Sequence, residues 1–250
     1  MKVLSALLIV VLLSVGATMA QPAELHVLSA GAVRSIVTDL AAAYEKETGN
    51  TVKLTFGTVG QIRLKLADAT PADVAIMTDT ALDEMTRQGV VREGTWVEVG
   101  RTGIGVGVRD GAPKPDISTI EAYKAALLAA KSIGYSRGCS GTNAAWGIEQ
   151  LGLTEQLKPK TVLTDGGPVV EFLAKGDFEL GIQQTNIMVG APGTDYVGAP
   201  PGFLNKPCPS SIALMTGSKA PEAARALIKF IVSPEAAPLL RKTFVEPAQP

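Results

Sequence analysis

The strongest constraint on the fold is an order of elements that recurs along the chain: a short apolar strand, a turn of small residues, then a helix. Leu25-His26-Val27-Leu28 reads as a strand, Ser29-Ala30-Gly31 makes the turn, and a helix is predicted from near Ala32. Ile36, Val37, Leu40, Ala43 and Tyr44 fall at helical spacing, and Gly49 supplies the stop. Thr51 to Phe56 alternates as a second strand, and Gly57-Thr58-Val59-Gly60 turns the chain into a helix expected from Gln61 to Asp68. Pro71-Ala72-Asp73 then precedes the buried-type strand Val74-Ala75-Ile76-Met77. Successive units of this kind predict an α/β fold with parallel strands flanked by helices.

The pattern changes at Gly103 to Val108, where Ile104, Val106 and Val108 alternate with glycines in an extended segment that permits close backbone approach. This segment reads as a crossover into a second α/β lobe. Ser118-Thr119-Ile120-Glu121 matches a helix capping box. Further strands are expected at Ile133 to Ser136, near Thr161 to Leu163, and at Phe178 to Gln183. Helices are expected after the turn Arg137 to Gly141 and from about Pro168 to Lys175. The chain returns through Gly198 to Gly202, and two closing helices start at Ala220-Pro221 and Ser233-Pro234, where proline suits a first helical position. The expected lobes are therefore 21–101 with 199–250, and 102–198, with a hinge near Arg101 to Gly105 and Val197 to Gly202.

Ahead of the first strand stand Lys2, an apolar run from Val3 to Val15, and Ala17-Thr18-Met19-Ala20. That layout predicts a secretory signal peptide over residues 1–20, cleaved after Ala20, and a periplasmic product. A formal net charge of −1 with no basic run gives no support to a nucleic-acid partner, and a monomer is expected. In an oxidising compartment Cys139 and Cys208 are compatible with one disulfide, and equally with two free thiols. A nucleophilic Cys139 has no evident base, since the single histidine is His26 in a strand.

Ligands of open α/β sheets bind beyond the carboxyl ends of the strands, where helix N-termini offer unpaired N–H groups. Four turns here have that character: Ser29 to Ala32, Gly57 to Gly60, Ser140-Gly141-Thr142, and Asp165-Gly166-Gly167. Converging, they would hold a small anion with neutral donors, without a metal or other cofactor. Gly103-x-Gly105-x-Gly107 lies inside a strand and lacks the ending of a phosphate loop, so it reads as close strand packing.

On Leu25 to Gly49, Thr55 to Gly60, Pro71 to Met77, Gly152 to Leu157, Gly176 to Ile182 and Ala220 to Ala236, the chain resembles the periplasmic molybdate-binding protein family. The resemblance implies a two-lobed type II periplasmic binding protein fold with a hinged central cleft, an ABC transporter permease as membrane partner, and no catalysis. It also implies a ligand set: Ala32 after the first strand, Val59 after the second, and Ser140, Gly166 and Gln184 in the second lobe, to which the turns themselves add Gly31 and Thr58. Ala32 and Val59 stand where the family places serines, and Gln184 where it places a tyrosine, so backbone donors survive and hydroxyl donors do not. Arg34 and Arg137, near the same turns, suit a bidentate grip on carboxylate, with Arg63 a weaker candidate. The expected ligand is thus a small organic carboxylate or a molybdate-like oxyanion. The chain is expected to be a receptor and not an enzyme; the alternative is an extracytoplasmic enzyme for a small anion, with Asp73 or Asp79 as acid–base groups. Asp73 in Pro-Ala-Asp reads more naturally as a cap for backbone amides.

Overall fold

The computed structural model describes residues 22–57, 59–68, 70–164 and 167–248, so the expected signal segment 1–20 lies outside the described residues. The chain begins with β1 (Glu24–Ala30), α1 (Arg34–Thr48), β2 (Thr51–Gly57), α2 (Val59–Ala67), β3 (Val74–Met77), α3 (Asp79–Arg87) and β4 (Val97–Thr102). It continues with β5 (Ile104–Arg109), α4 (Ile120–Ala129), β6 (Ile133–Ser136), α5 (Cys139–Gln150), α6 (Thr154–Leu157), β7 (Thr161–Thr164) and α7 (Val169–Lys175). Then follow β8 (Leu180–Gln184), α8 (Thr185–Met188), β9 (Thr194–Gly198), β10 (Cys208–Leu214), α9 (Pro221–Ile231), α10 (Ala237–Lys242) and β11 (Glu246–Pro247).

Two sheets result, one in the order β11-β4-β10-β3-β1-β2 and one in the order β7-β6-β8-β5-β9. β1, β2 and β3 pair in parallel, as do β6, β7 and β8. Both sheets are mixed rather than wholly parallel. β10 arrives from the second lobe at the end where β3 and β4 finish, so it must run antiparallel to both. β5 leaves the crossover the same way and is antiparallel to β8.

Each sheet is covered on both faces, which is why its central strands are largely buried and β3, Val74–Met77, is wholly apolar. Leu25 and Val27 of β1 pack with Ile36, Leu40 and Tyr44 of α1 and Leu227 and Ile231 of α9. Leu28, facing the other way, joins Ile62, Met77, Leu82 and Met85. In the second sheet Ile104, Val106 and Ile133 pack with Leu127 and Ile148, while Val169, Leu173, Phe178 and Met188 form the opposite cluster. Gly49 ends α1 in the left-handed region at φ 74°, the conformation that glycine adopts without steric cost. The capping box is displaced by one residue: Thr119, not Ser118, is the cap, and its Oγ1 accepts from the Ala122 N–H at 3.1 Å.

The chain passes from the first sheet to the second at Gly103 and returns between Gly198 and Cys208. These two crossings are fastened together. Asn205 Oδ1 accepts from the Ile104 N–H at 2.8 Å, and a Cβ on Gly103 would lie 2.4 Å from that same oxygen. The Gly103 carbonyl in turn accepts from the Thr185 N–H at 2.9 Å.

Candidate functional site

In the first lobe the register sets Ala30 beside Gly57, so the turns after β1 and β2 emerge together. Gly31 is close enough to β2 that a Cβ there would contact the Gly57 carbonyl at 3.9 Å. After β1 the chain makes a short 3-10 turn, Gly31–Val33, before α1 begins at Arg34. Gly31, Ala32 and Arg34 therefore sit where the sequence placed them, and Val59 opens α2 beside them. Thr58 lies outside the described residues.

In the second lobe Ser136 pairs with Thr164 and Tyr135 with Ile182, which brings the carboxyl ends of β6, β7 and β8 side by side. Ser136 Oγ accepts from the Gly138 N–H at 3.2 Å, and α5 then starts at Cys139. The start of α5 is pressed onto the strand it follows: a Cβ on Gly141 would lie 1.5 Å from the Ser136 carbonyl oxygen. Ser140 is consequently buried, at 3 % exposure, while Arg137 is exposed. Gln184 is the buried last residue of β8. Gly166 lies outside the described residues.

The two ends face one another, for Asn186 of α8 reaches across from the second lobe and its Nδ2 donates to the Ala32 carbonyl at 2.6 Å. Sequence reasoning passed over this residue; the signal present was the polar run Gln183-Gln184-Thr185-Asn186 at the carboxyl end of a buried strand. It also passed over Thr164, the buried last residue of β7, whose hydroxyl has no partner among the described residues.

The arginines differ in what they offer. Arg34 is exposed at the mouth of its turn, with its guanidinium carbon 4.1 Å from the centroid of the Phe56 ring, a stacking that leaves the planar edge available to an anion. Arg63 pairs with Glu84 of α3.

The two aspartates separate cleanly, because they stand at opposite ends of β3. Asp73, at the end away from the turns, accepts from the His26 N–H at 2.8 Å, Ser218 Oγ at 2.7 Å and the Lys219 N–H at 3.0 Å. Burial alone pushes its carboxyl up, but these donors, with the Ala220 N–H, outweigh it and hold the group below its ordinary value. It is a cap, with no capacity left for proton transfer. Asp79 opens α3 at the turn end of β3, where its Oδ1 accepts from Ser211 Oγ at 2.5 Å.

The open question of the cysteines is resolved: Cys139 and Cys208 are bonded, with Cα atoms 5.9 Å apart. The bond joins the start of α5 in the second lobe to the first residue of β10 in the first sheet. Beside it Asn143 Nδ2 donates to the Lys206 carbonyl at 3.0 Å. Among the described residues no group of His, Cys, Asp and Glu is arranged to hold a metal ion.

Comparison with known proteins fits this architecture. A molybdate-binding protein of Azotobacter vinelandii is 27% identical over 240 residues, covering 89% of each chain. The solved structure of the periplasmic molybdate-binding protein from the same organism superposes with a TM-score of 0.73 at 17% identity, over 90% of this chain and all of that one. The resemblance to molybdate-binding proteins and the two-lobed fold therefore stand. A protein of a Pseudomonas species named aconitate isomerase is 36% identical over 242 residues, 92% of each chain. That relative is an enzyme by name, and it overturns the expectation that this chain is not one. The expectation rested on the resemblance to binding proteins, and the missing base beside Cys139 weighed only against nucleophilic chemistry; a proton shift within a bound anion needs no nucleophile. The model of the bacterial extracellular solute-binding proteins matches residues 25–246, and the chain belongs to that family.

Proposed function

We propose that the chain binds a small tricarboxylate between its lobes and isomerises it, with aconitate as the substrate. The observation that carries this reading is the 36% identity to a protein named aconitate isomerase, sustained over nine-tenths of both chains. The local chemistry supports it. Ala32 and Val59 replace the hydroxyls expected for a compact oxyanion, whereas Arg34 and Arg137 suit the flat fork of a carboxylate. Turn amides at Gly31, Ala32, Val59, Ser140 and Gly166, with Gln184, complete the proposed ligand set.

Aconitate carries a methylene between a carboxylate and a carbon–carbon double bond. Removing one methylene proton gives an allylic carbanion whose charge spreads onto the carboxylates; the double bond shifts, and returning the proton at the other allylic carbon yields either geometrical isomer. Nothing is oxidised, reduced or released. The site must accept one proton, stabilise the extra charge and exclude water, and clustered N–H donors with arginine do the second. Asp79, positioned by the Ser211 hydroxyl, is our choice for the proton carrier.

Proton NMR in deuterium oxide tests the proposal. Interconversion of cis- and trans-aconitate with deuterium entering the methylene is expected, and Asp79→Asn should slow it at least about a hundredfold while binding persists. Binding of aconitate with neither interconversion nor exchange would reject the isomerase reading.

The family match over residues 25–246 supports a second, compatible role: export by the N-terminal segment to the periplasm, and delivery of the bound anion to an ABC permease as a monomeric receptor. Closure about the crossings at Gly103 and 199–207 would serve both roles.

A further inference from the structure

Among the described residues, the hydrogen bond from Asn186 to Ala32 joins the second lobe to a turn of the first that belongs to the proposed ligand set. α8 packs directly on that 3-10 turn. A carboxamide has two N–H donors and one oxygen acceptor, and the orientation is forced, since an oxygen facing the Ala32 carbonyl would repel it. Asn186 Oδ1 is then left buried with no donor among the described residues. A buried acceptor without a partner disfavours the arrangement that buries it, and a donor supplied by a ligand removes that penalty.

We propose that Asn186 is a positioning and selectivity residue. Its amide nitrogen latches the closed lobes by holding the Ala32 carbonyl, and its amide oxygen favours ligands that bring a hydroxyl to it. The second half rests on the tricarboxylate reading; the first does not. A fully ionised carboxylate offers only acceptors, so it gains nothing at this oxygen, whereas an O–H group both satisfies it and tightens the latch. A hydroxylated, saturated tricarboxylate therefore binds more tightly than its unhydroxylated counterpart and inhibits turnover of the unsaturated substrate.

Two measurements test this on the full mature chain. Small-angle scattering without ligand compares the native protein with Asn186→Ala, which removes donor and acceptor, and Asn186→Asp, which keeps acceptors and loses the donor. Asn186→Asp, which sets an oxygen against the Ala32 carbonyl, should shift the open-to-closed ratio at least about tenfold toward open, and Asn186→Ala, which loses the orphaned acceptor together with the bond, by a smaller factor of about three to five. Scattering profiles identical to the native one, with circular dichroism showing both variants folded, overturn the latch; a folding failure of one variant leaves the other to decide. Calorimetry then compares citrate with propane-1,2,3-tricarboxylate, which differ by one hydroxyl. Native protein should favour citrate about tenfold and Asn186→Ala should lose that preference. A native ratio near one, or a ratio that survives the substitution, overturns the selectivity role. If neither compound nor aconitate binds, the tricarboxylate reading and the selectivity role fall together, while scattering still decides the latch.

Discussion

At the scale of single residues, the fold spends its buried polar groups in two ways. Asp73 is saturated by the His26, Lys219 and Ala220 amides and the Ser218 hydroxyl, so that β1, β3 and the start of α9 are fixed to one carboxylate. Its folded pKa lies below the ordinary 3.8, hence its stabilisation is complete above the unfolded value and is lost as pH falls through the folded one. Asp73→Asn should cost about 2–3 kcal/mol in neutral buffer, where several charge-assisted bonds are weakened, and the deficit should shrink below the ordinary carboxylate range. Urea denaturation at the two pH values measures it; a deficit independent of pH would show that the charge is not what matters. Thr164 is the opposite case, a buried hydroxyl with no partner among the described residues, at the cleft end of β7. Thr164→Val removes the hydroxyl and keeps the shape, so stability should hold or rise by about 1 kcal/mol. If the hydroxyl meets ligand, affinity for aconitate falls while stability does not, and calorimetry beside thermal unfolding separates the two.

At the scale of elements, legibility followed burial pattern. β3 and β6 were readable to the residue: Val74–Met77 is a bare apolar run covered on both faces, and Ile133–Ser136 is a short buried segment set off by the glycine-rich turn that follows it. β10 was not: Pro209 and the buried Ser210 and Ser211 interrupt its pattern, and its register shifts between those serines. β4 and α3 went unread for a related reason, since Val97 to Thr102 carries glutamate and arginine and the helix Asp79–Arg87 is mostly polar. The turns of the candidate site were visible as small-residue runs before helices. The roles of Asn186 and Thr164 were not, because a partner across a cleft, or the want of one, is a fact of tertiary structure. The same turns carry an element-scale prediction. A Cβ at residue 141 would fall inside the Ser136 carbonyl, which a backbone atom cannot vacate without moving α5 off β6. Gly141→Ala should therefore displace Ser140 and Arg137 together, lowering aconitate affinity at least about tenfold and destabilising the second lobe by roughly 1–3 kcal/mol. Gly138→Ala is the control, since a Cβ there meets only Ser136 Oγ at 3.4 Å. Equal behaviour of the two variants would show that close packing of α5 does not position the site.

At the scale of the whole molecule, what matters is how tightly the lobes are joined at their crossings. Gly103 and Asn205 fasten the two crossings, and Asn143 with the Cys139–Cys208 bond ties α5 to the return strand. The residue after Cys139 is Ser140, so a bond at the hinge also anchors a residue of the proposed ligand set, and opening must pivot about it rather than translate the lobes apart. The bond closes 69 residues of sequence separation, the greater part of the second lobe. Chain-entropy reasoning puts its contribution at about 4 kcal/mol, with measured cases more often 2–4. Replacing both cysteines by serine should accordingly lower unfolding free energy by roughly 2–4 kcal/mol and, because the pivot is loosened, enlarge the ligand-free radius of gyration. Saturating ligand should bring the radius back toward the native closed value if the crossings alone suffice to guide closure. Native protein whose radius does not contract with verified, saturating ligand would remove the hinge from the mechanism. A double-serine variant that is less stable but scatters identically in both states would confine the disulfide to stability and leave Gly103 and Asn205 as the pivot.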